Sequence, residues 1–338
     1  MRLLKFTRYQ EWWEYKLIPF LLVGYATVLY YNLEIENVGL HILKILLAVV
    51  FGAVYVSVIN DYTDIYEDKL AGKRNSMAKL PEFSRLLIIS LCIAIGLISC
   101  FFMFSDTLSL AFFILSYIVF TAYSVPPLRL KKRGFLGVLC DASGAHLFPA
   151  VLLACHLPFI VSISRNVLWT LSIGCWSLLY GIRGILVHQF NDRDNDIKSG
   201  TTTFAASLRP TDFKGTEKLI LTFEFFGIAF IIYSLFNIWI ALAIVFYLLL
   251  ALGRHYILRY RSCIVILPKD KPSQLLLNDF YLVFLPVAIL LTFTIHNEYG
   301  WIALLIHLLL FPRHILLVLK DFKIIIKQLI YNQSEIKN

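Results

Sequence analysis

The chain has 338 residues, 59% of them hydrophobic and only 16% charged, with a mean hydropathy of +0.74. Soluble domains carry about a quarter charged residues, so the composition excludes an ordinary soluble protein and points to the membrane. The net charge of +9 is no nucleic-acid signal, because the basic residues sit in short loops between apolar stretches, where membrane topology accounts for them.

In chain order, Met1 to Lys16 is polar, with Arg2, Lys5 and Arg8, and no small-residue cleavage site follows, so this segment is expected to stay on the protein. A bilayer core requires about 20 apolar residues per helix. Stretches near that length recur at 17–33, 39–60, 84–104, 108–126, 135–157, 166–190, 217–236, 238–257, 275–296 and 299–319. They predict an all-α, polytopic transmembrane helical bundle of nine to ten spans. The connections at Phe236-Asn237 and Asn297 to Tyr299 are so short that the helices they join must be antiparallel neighbours. The six cysteines are scattered without metal-ligand spacing and read as small buried hydrophobes.

Charge placement tests the topology independently. Basic residues crowd every second loop, and the opposite side has only Lys44 and Arg165. By the positive-inside rule both termini and the crowded loops are cytoplasmic. Residues 1–319 read as one membrane domain, followed by a basic tail over 320–338. There Ile324, Ile325, Ile326, Leu329 and Ile330 interleave with Lys323 and Lys327, the pattern of an amphipathic helix on the membrane surface or of a plain extension of the last span.

Two crowded loops also carry acid. Asn60-Asp61-Tyr62-Thr63-Asp64-Ile65-Tyr66-Glu67-Asp68 ends the second span, and a continuous helix would put Asp61, Asp64 and Asp68 on one face. Asp192-Arg193-Asp194-Asn195-Asp196, then Lys198-Ser199-Gly200 and Thr201, end the sixth span at the same membrane face. Carboxylates are disfavoured at helix C-termini and repel one another, so a cation is expected there. A hard divalent ion with oxygen ligands, Mg2+ above all, fits and leaves positions open for phosphate. Between them, Tyr123 to Gly134 contains Pro126-Pro127, which end the fourth span, and Arg129, Lys131, Lys132 and Arg133. These bases suit phosphate oxygens, although topology alone also calls for a basic loop there.

With these three motifs in this order and placement, the chain resembles the UbiA superfamily of membrane prenyltransferases, which includes aromatic-acid, menaquinone, chlorophyll and haem branches. The resemblance rests on NDxxDxxxD from Asn60, the YSxPPxRLK-RG stretch from Tyr123, and DRDNDxxxG from Asp192. It implies a helical bundle around a central cavity open towards lipid. It also implies Mg2+ and diphosphate roles for Asn60, Asp61, Asp64, Asp68, Asp192 and Asp196, with diphosphate contacts from Lys69, Arg129, Lys131 and Lys198. Many members have Asp-Arg where this chain has Asp64-Ile65, and Arg-Pro where it has Lys73-Arg74-Asn75-Ser76; these departures bear on the basic contacts of the first loop and on the branch.

Ionisable groups inside spans face a cavity or a partner. Asp141, His146, Arg183, His188, Glu224 and Asp279 are of this kind. His188, one turn before Asp192, is expected near the metal site. Arg183 is expected to pair with a buried acid such as Asp141, while Asp141 and Glu224 are also candidate acceptor-binding groups or bases. The reading is Mg2+-dependent transfer of a prenyl group from a polyprenyl diphosphate to a lipophilic, aromatic acceptor in the membrane, with no nucleic-acid partner. Cyclisation of the prenyl chain without an acceptor uses the same site. A transporter would place its ionisable clusters near the midplane, whereas these lie at span ends.

Overall fold

The computed structural model describes residues 7–70, 72–103, 105–198, 200 and 202–336. In chain order the helices are α1 (Tyr9–Tyr30), α2 (Ile35–Thr63), α3 (Ile65–Leu70), α4 (Glu82–Cys100), α5 (Thr107–Ser124), α6 (Phe135–Ala142) and α7 (Phe148–Ile160). They continue with α8 (Val167–Lys198), α9 (Pro210–Leu235), α10 (Ile238–Tyr256), α11 (Leu285–His296), α12 (Gly300–Leu310) and α13 (Pro312–Ile336). Among the described residues 7 helices are long and apolar enough to cross a membrane, counting α6 and α7 as one. Together with the leucines and phenylalanines that α4, α9 and α10 turn outward, this makes the chain an integral membrane protein.

The centre of the bundle is apolar on all sides, as an internal membrane helix must be. In α1 every residue from Leu17 to Val28 is buried, and in α7 every residue from Pro149 to Pro158. Two helices contain a π-helical turn, Ser143–Leu147 between α6 and α7 and Phe280–Phe284 before α11. Each is followed two residues on by a proline, Pro149 and Pro286, that cannot donate to the carbonyl four residues back. The wider turn absorbs the lost hydrogen bond and bends the inner wall.

The expected span at 299–319 is not one helix. α12 has 11 residues, about 16 Å of rise, and α13 leaves it at 82°. Pro312 begins the new helix, and Glu14 of α1 accepts hydrogen bonds from the Arg313 and His314 amides at 2.9 and 3.0 Å, capping its positive end. Residue 320 therefore lies within α13. A second feature absent from the hydropathy pattern is a two-stranded parallel ribbon in the loop after α10, β1 (Arg261–Cys263) with β2 (Ser273–Leu275).

The ionisable groups inside the spans sort into pairs. Arg183 does not meet Asp141. Its Nε and Nη2 donate to both oxygens of Glu224 at 2.7 and 2.8 Å, because α8 and α9 pack closely where Gly227 lies against the Trp176 backbone. Arg254 likewise joins Asp279 and Asp321 of α13. Removing one partner of such a pair strands a buried charge, at a cost of about 3–5 kcal/mol. Thermal unfolding in detergent should therefore show Glu224→Ala strongly destabilised, with Arg183→Met added to it restoring much of the loss; equal stability of Glu224→Ala and the parent would refute the pairing.

Candidate functional site

The three motif loops meet at one end of the bundle. α2 breaks at Asp64 and restarts as α3, with the Asp68 amide still bonded to the Asp64 carbonyl at 2.8 Å. The three aspartates of the first motif then find different partners. Asp64 accepts from Lys131 Nζ at 2.5 and 2.6 Å and from Arg129 Nη2 at 2.8 Å. Lys131 also donates to Asn60 Oδ1 at 2.8 Å. Asp61 faces the other way, to the Ser76 hydroxyl and Arg8, while Asn75 donates to Asp68 at 2.8 Å and to the Asp61 carbonyl at 2.7 Å. Glu67, to which the sequence reading assigned no role, takes Arg129 and Lys132.

The basic loop is held by its backbone. Arg129 adopts a left-handed conformation with φ 37°, and Gly134 one with φ 57°, a region that glycine enters at no steric cost and arginine only under constraint. Gly134 pairs with Thr203 in an isolated parallel bridge, and Thr202 donates to the Lys132 carbonyl at 3.2 Å, so the second and third loops are clipped together. Arg193 holds the third loop from within, donating to the Ala205 and Leu208 carbonyls at 3.1 and 3.0 Å.

In the third motif Asp196 is buried and accepts from Thr203 Oγ1 at 3.0 Å. Asp192 is half exposed, with His188 Nε2 at 3.9 Å. Asp194 points outward to Lys269. Lys69 and Lys198 are exposed. Ser199 and Thr201 lie outside the described residues. Burial pushes the Lys131 ammonium below the ordinary lysine range, against the pull of Asp64. Its proton is therefore lost at lower pH than from a free lysine, and rising pH loosens its hold on Asp64.

Beneath this network runs a cavity of about 650 Å³, lined at the motif end by Arg8, Asn60, His188 and Asn191. Deeper, Tyr55, Phe113, Tyr117, Phe120 and Tyr180 form an aromatic wall. Leu267, Leu275 and Asn278 show that the ribbon loop closes one side. Asp141 and His146 also line it, and among the described residues neither side chain makes a protein hydrogen bond or ion pair. Lys16, whose ammonium lies 6.0 Å from the Phe120 ring centroid, is a lining cation that the sequence reading treated only as topology.

The donor set suits a hard cation, being carboxylate and amide oxygens throughout. No three of the His, Cys, Asp and Glu residues described are grouped to hold a metal, since the carboxylates are turned to separate partners. For an anion the fit is more direct: Arg129 Nε is buried without any partner, a donor free for a phosphate oxygen.

A bundle of apolar helices with an acid-and-base site over a greasy cavity defines a polytopic membrane protein with a polar site at one end of an apolar chamber. The model of the UbiA prenyltransferase family matches residues 17–263, and the chain belongs to that family. Solved structures of a UbiA homologue from Archaeoglobus fulgidus are similar in fold. The form bound to GPP and Mg2+ has a TM-score of 0.56 at 15% identity, over 90% of this chain and 99% of that one. The form bound to DMAPP and Mg2+ has the same TM-score and coverage at 16% identity. A comparison with curated proteins found no match.

Gly137 sets how closely the basic loop lies on α6. A Cβ there would stand 2.8 Å from the Leu130 carbonyl oxygen and 3.0 Å from Lys131 Cα, both backbone. Gly137→Ala must displace Lys131, and it is expected to lower stability by about 1–3 kcal/mol and to weaken diphosphate binding. Gly215→Ala, with open space around it, should do neither; binding and melting measured on both variants check this, and an unaltered Gly137→Ala would contradict it.

Proposed function

We propose that the chain transfers a prenyl group from a polyprenyl diphosphate to a lipophilic, aromatic acceptor, with Mg2+ as cofactor. The observation that carries this reading is the cavity of about 650 Å³ with Asn60 at its mouth and aromatic rings below. The likeness to structures bound to GPP and DMAPP with Mg2+ supports it. Asp61, Asp64, Asp68, Asp192 and Asp196 would hold the metal, which when bound supplies Lewis-acid neutralisation of the leaving diphosphate, and Asn60 would contact the diphosphate.

Arg129 and Lys131 bind the diphosphate oxygens, with Lys69 and Lys198 reaching them from the exposed side and His188 beside Asp192. The C1–O bond of the prenyl diphosphate breaks and its electron pair leaves with the diphosphate. The allylic cation stays below, shielded from water and faced by Tyr and Phe rings. A carbon or oxygen of the acceptor forms the new bond to C1 and gives up a proton. Asp141, with no protein partner, hydrogen-bonds the acceptor. The motif end and both chain ends face the cytoplasm, as the one-sided basic loops require.

Asp64→Ala and Asp192→Ala are each expected to slow diphosphate release about a hundredfold or more, a direct ligand costing at least what an outer-shell partner does. Chelator should abolish release in the parent. Asp141→Asn is expected to keep diphosphate release while losing prenylated product, with free prenyl alcohol appearing by water capture. Diphosphate and products are quantified in parallel by mass spectrometry, with and without acceptor. Turnover that survives chelator overturns the metal site, and an unchanged product ratio in Asp141→Asn overturns its acceptor role. A cyclised hydrocarbon formed without acceptor would replace transfer by cyclisation.

A further inference from the structure

α13 divides into faces with different surroundings. His314, Val318, Asp321 and Ile325 are buried and follow one another at helical spacing along a single stripe. That stripe docks on the bundle: Asp321 takes Arg254 Nε at 2.8 Å, and Ile325 fills the space where Gly253 has no side chain. Lys320, Lys323 and Lys327 project on the opposite side, about 130–170° away at 100° per residue. All three are exposed and none forms an ion pair with a described residue. The flank between carries Leu319, Ile326 and Ile330, exposed by 58%, 54% and 64%.

From Ile326 to Ile330 every residue is exposed, so burial in the bundle does not account for the helix there. An isolated stretch of this length is marginal in water. After the 82° turn from α12, α13 runs from Glu14 of α1 to Gly253 and Arg254 at the end of α10. Its first turn sits against Glu14 and Tyr15, at the end of α1 near the motif loops. At that level a membrane protein meets phospholipid headgroups.

We propose that α13 is a lipid-headgroup docking surface: the Leu319–Ile326–Ile330 flank enters the acyl boundary, and Lys320, Lys323 and Lys327 bind anionic phospholipid. Each lysine at such a surface adds to the attraction, which is screened within a Debye length. The partner is the bilayer in which the chain sits, and no further protein is required.

The test uses the full chain in nanodiscs of phosphatidylcholine alone or with phosphatidylglycerol. Phosphatidylglycerol should raise the melting temperature of the parent. The triple variant Lys320→Gln/Lys323→Gln/Lys327→Gln should lose most of that increment while melting like the parent in phosphatidylcholine. Retention of phosphatidylglycerol on extraction, read by native mass spectrometry, should fall roughly tenfold or more. A photoreactive phenylalanine at Ile326 should attach to lipid acyl chains. An equal phosphatidylglycerol increment in parent and triple variant overturns the proposal. So does a photoadduct at Ile326 to a second copy of the chain, or one found only on water-soluble reagents. Should the triple variant melt lower in phosphatidylcholine too, the photoadduct on the otherwise unaltered chain decides.

Discussion

The contact between Lys131 and Asp64 is the one on which the arrangement of the motif end depends. Asp64 closes α2 at a helix C-terminus, where the backbone already presents partial negative charge. Asp61, Glu67 and Asp68 stand within a turn or two of it, and without counter-charge the end of α2 would be repelled open. The neutralising groups come from a loop that begins two spans later, at Arg129, Lys131 and Lys132. Satisfying Asp64 therefore forces the ends of α2 and α5 together. The Gly134–Thr203 bridge then brings the end of α8 to the same place. The cavity opens where these three helix ends meet and runs down between α1, α2, α5, α8 and the turn joining α6 to α7.

The same rule operates deeper, with a different result. Inside a bilayer a charge needs a partner, and Arg183 with Glu224 and Arg254 with Asp279 and Asp321 obey it. Each pair bolts one helix to its neighbour. Asp141 and His146 do not obey it among the described residues, and both face the cavity. His146 lies in the π-helical turn that Pro149 imposes, so the distortion that bends the wall also presents the ring to the cavity. On the proposed reaction, these two side chains are the polar groups of the inner wall left for a second substrate.

Much of this was legible in the sequence because hydropathy and charge are local properties. Each apolar stretch contains a helix, and the three motifs stand at one end as the alternation of basic loops requires. What the sequence did not disclose depends on packing. Arg183 sits in one helix with acids available in several others, and periodicity cannot say which helix lies against it. Asn75 and Ser76, which clamp Asp68 and Asp61, carry no charge pattern and look like any polar loop. The end of the 299–319 stretch is a different case. Phe311-Pro312 was a readable break, but continuous hydropathy on both sides concealed it until Glu14 was seen to cap the new helix.

The pairing of acids with bases in the ligand-free site also bears on how a diphosphate could enter it. Asp61, Asp64 and Glu67 face Arg8, Arg129, Lys131 and Lys132, so these three acids are neutralised as they stand. A bare diphosphate would meet carboxylates, and a bare divalent cation would meet ammonium and guanidinium groups; each alone is opposed. Arriving together, they allow an exchange of partners, with carboxylates turning to the metal and Lys131 and Arg129 to phosphate oxygens. On the proposed reaction this is the reason acidic and basic residues alternate at the mouth of an apolar cavity, where an acidic pocket alone would bind metal and an all-basic one would hold the diphosphate without activating it.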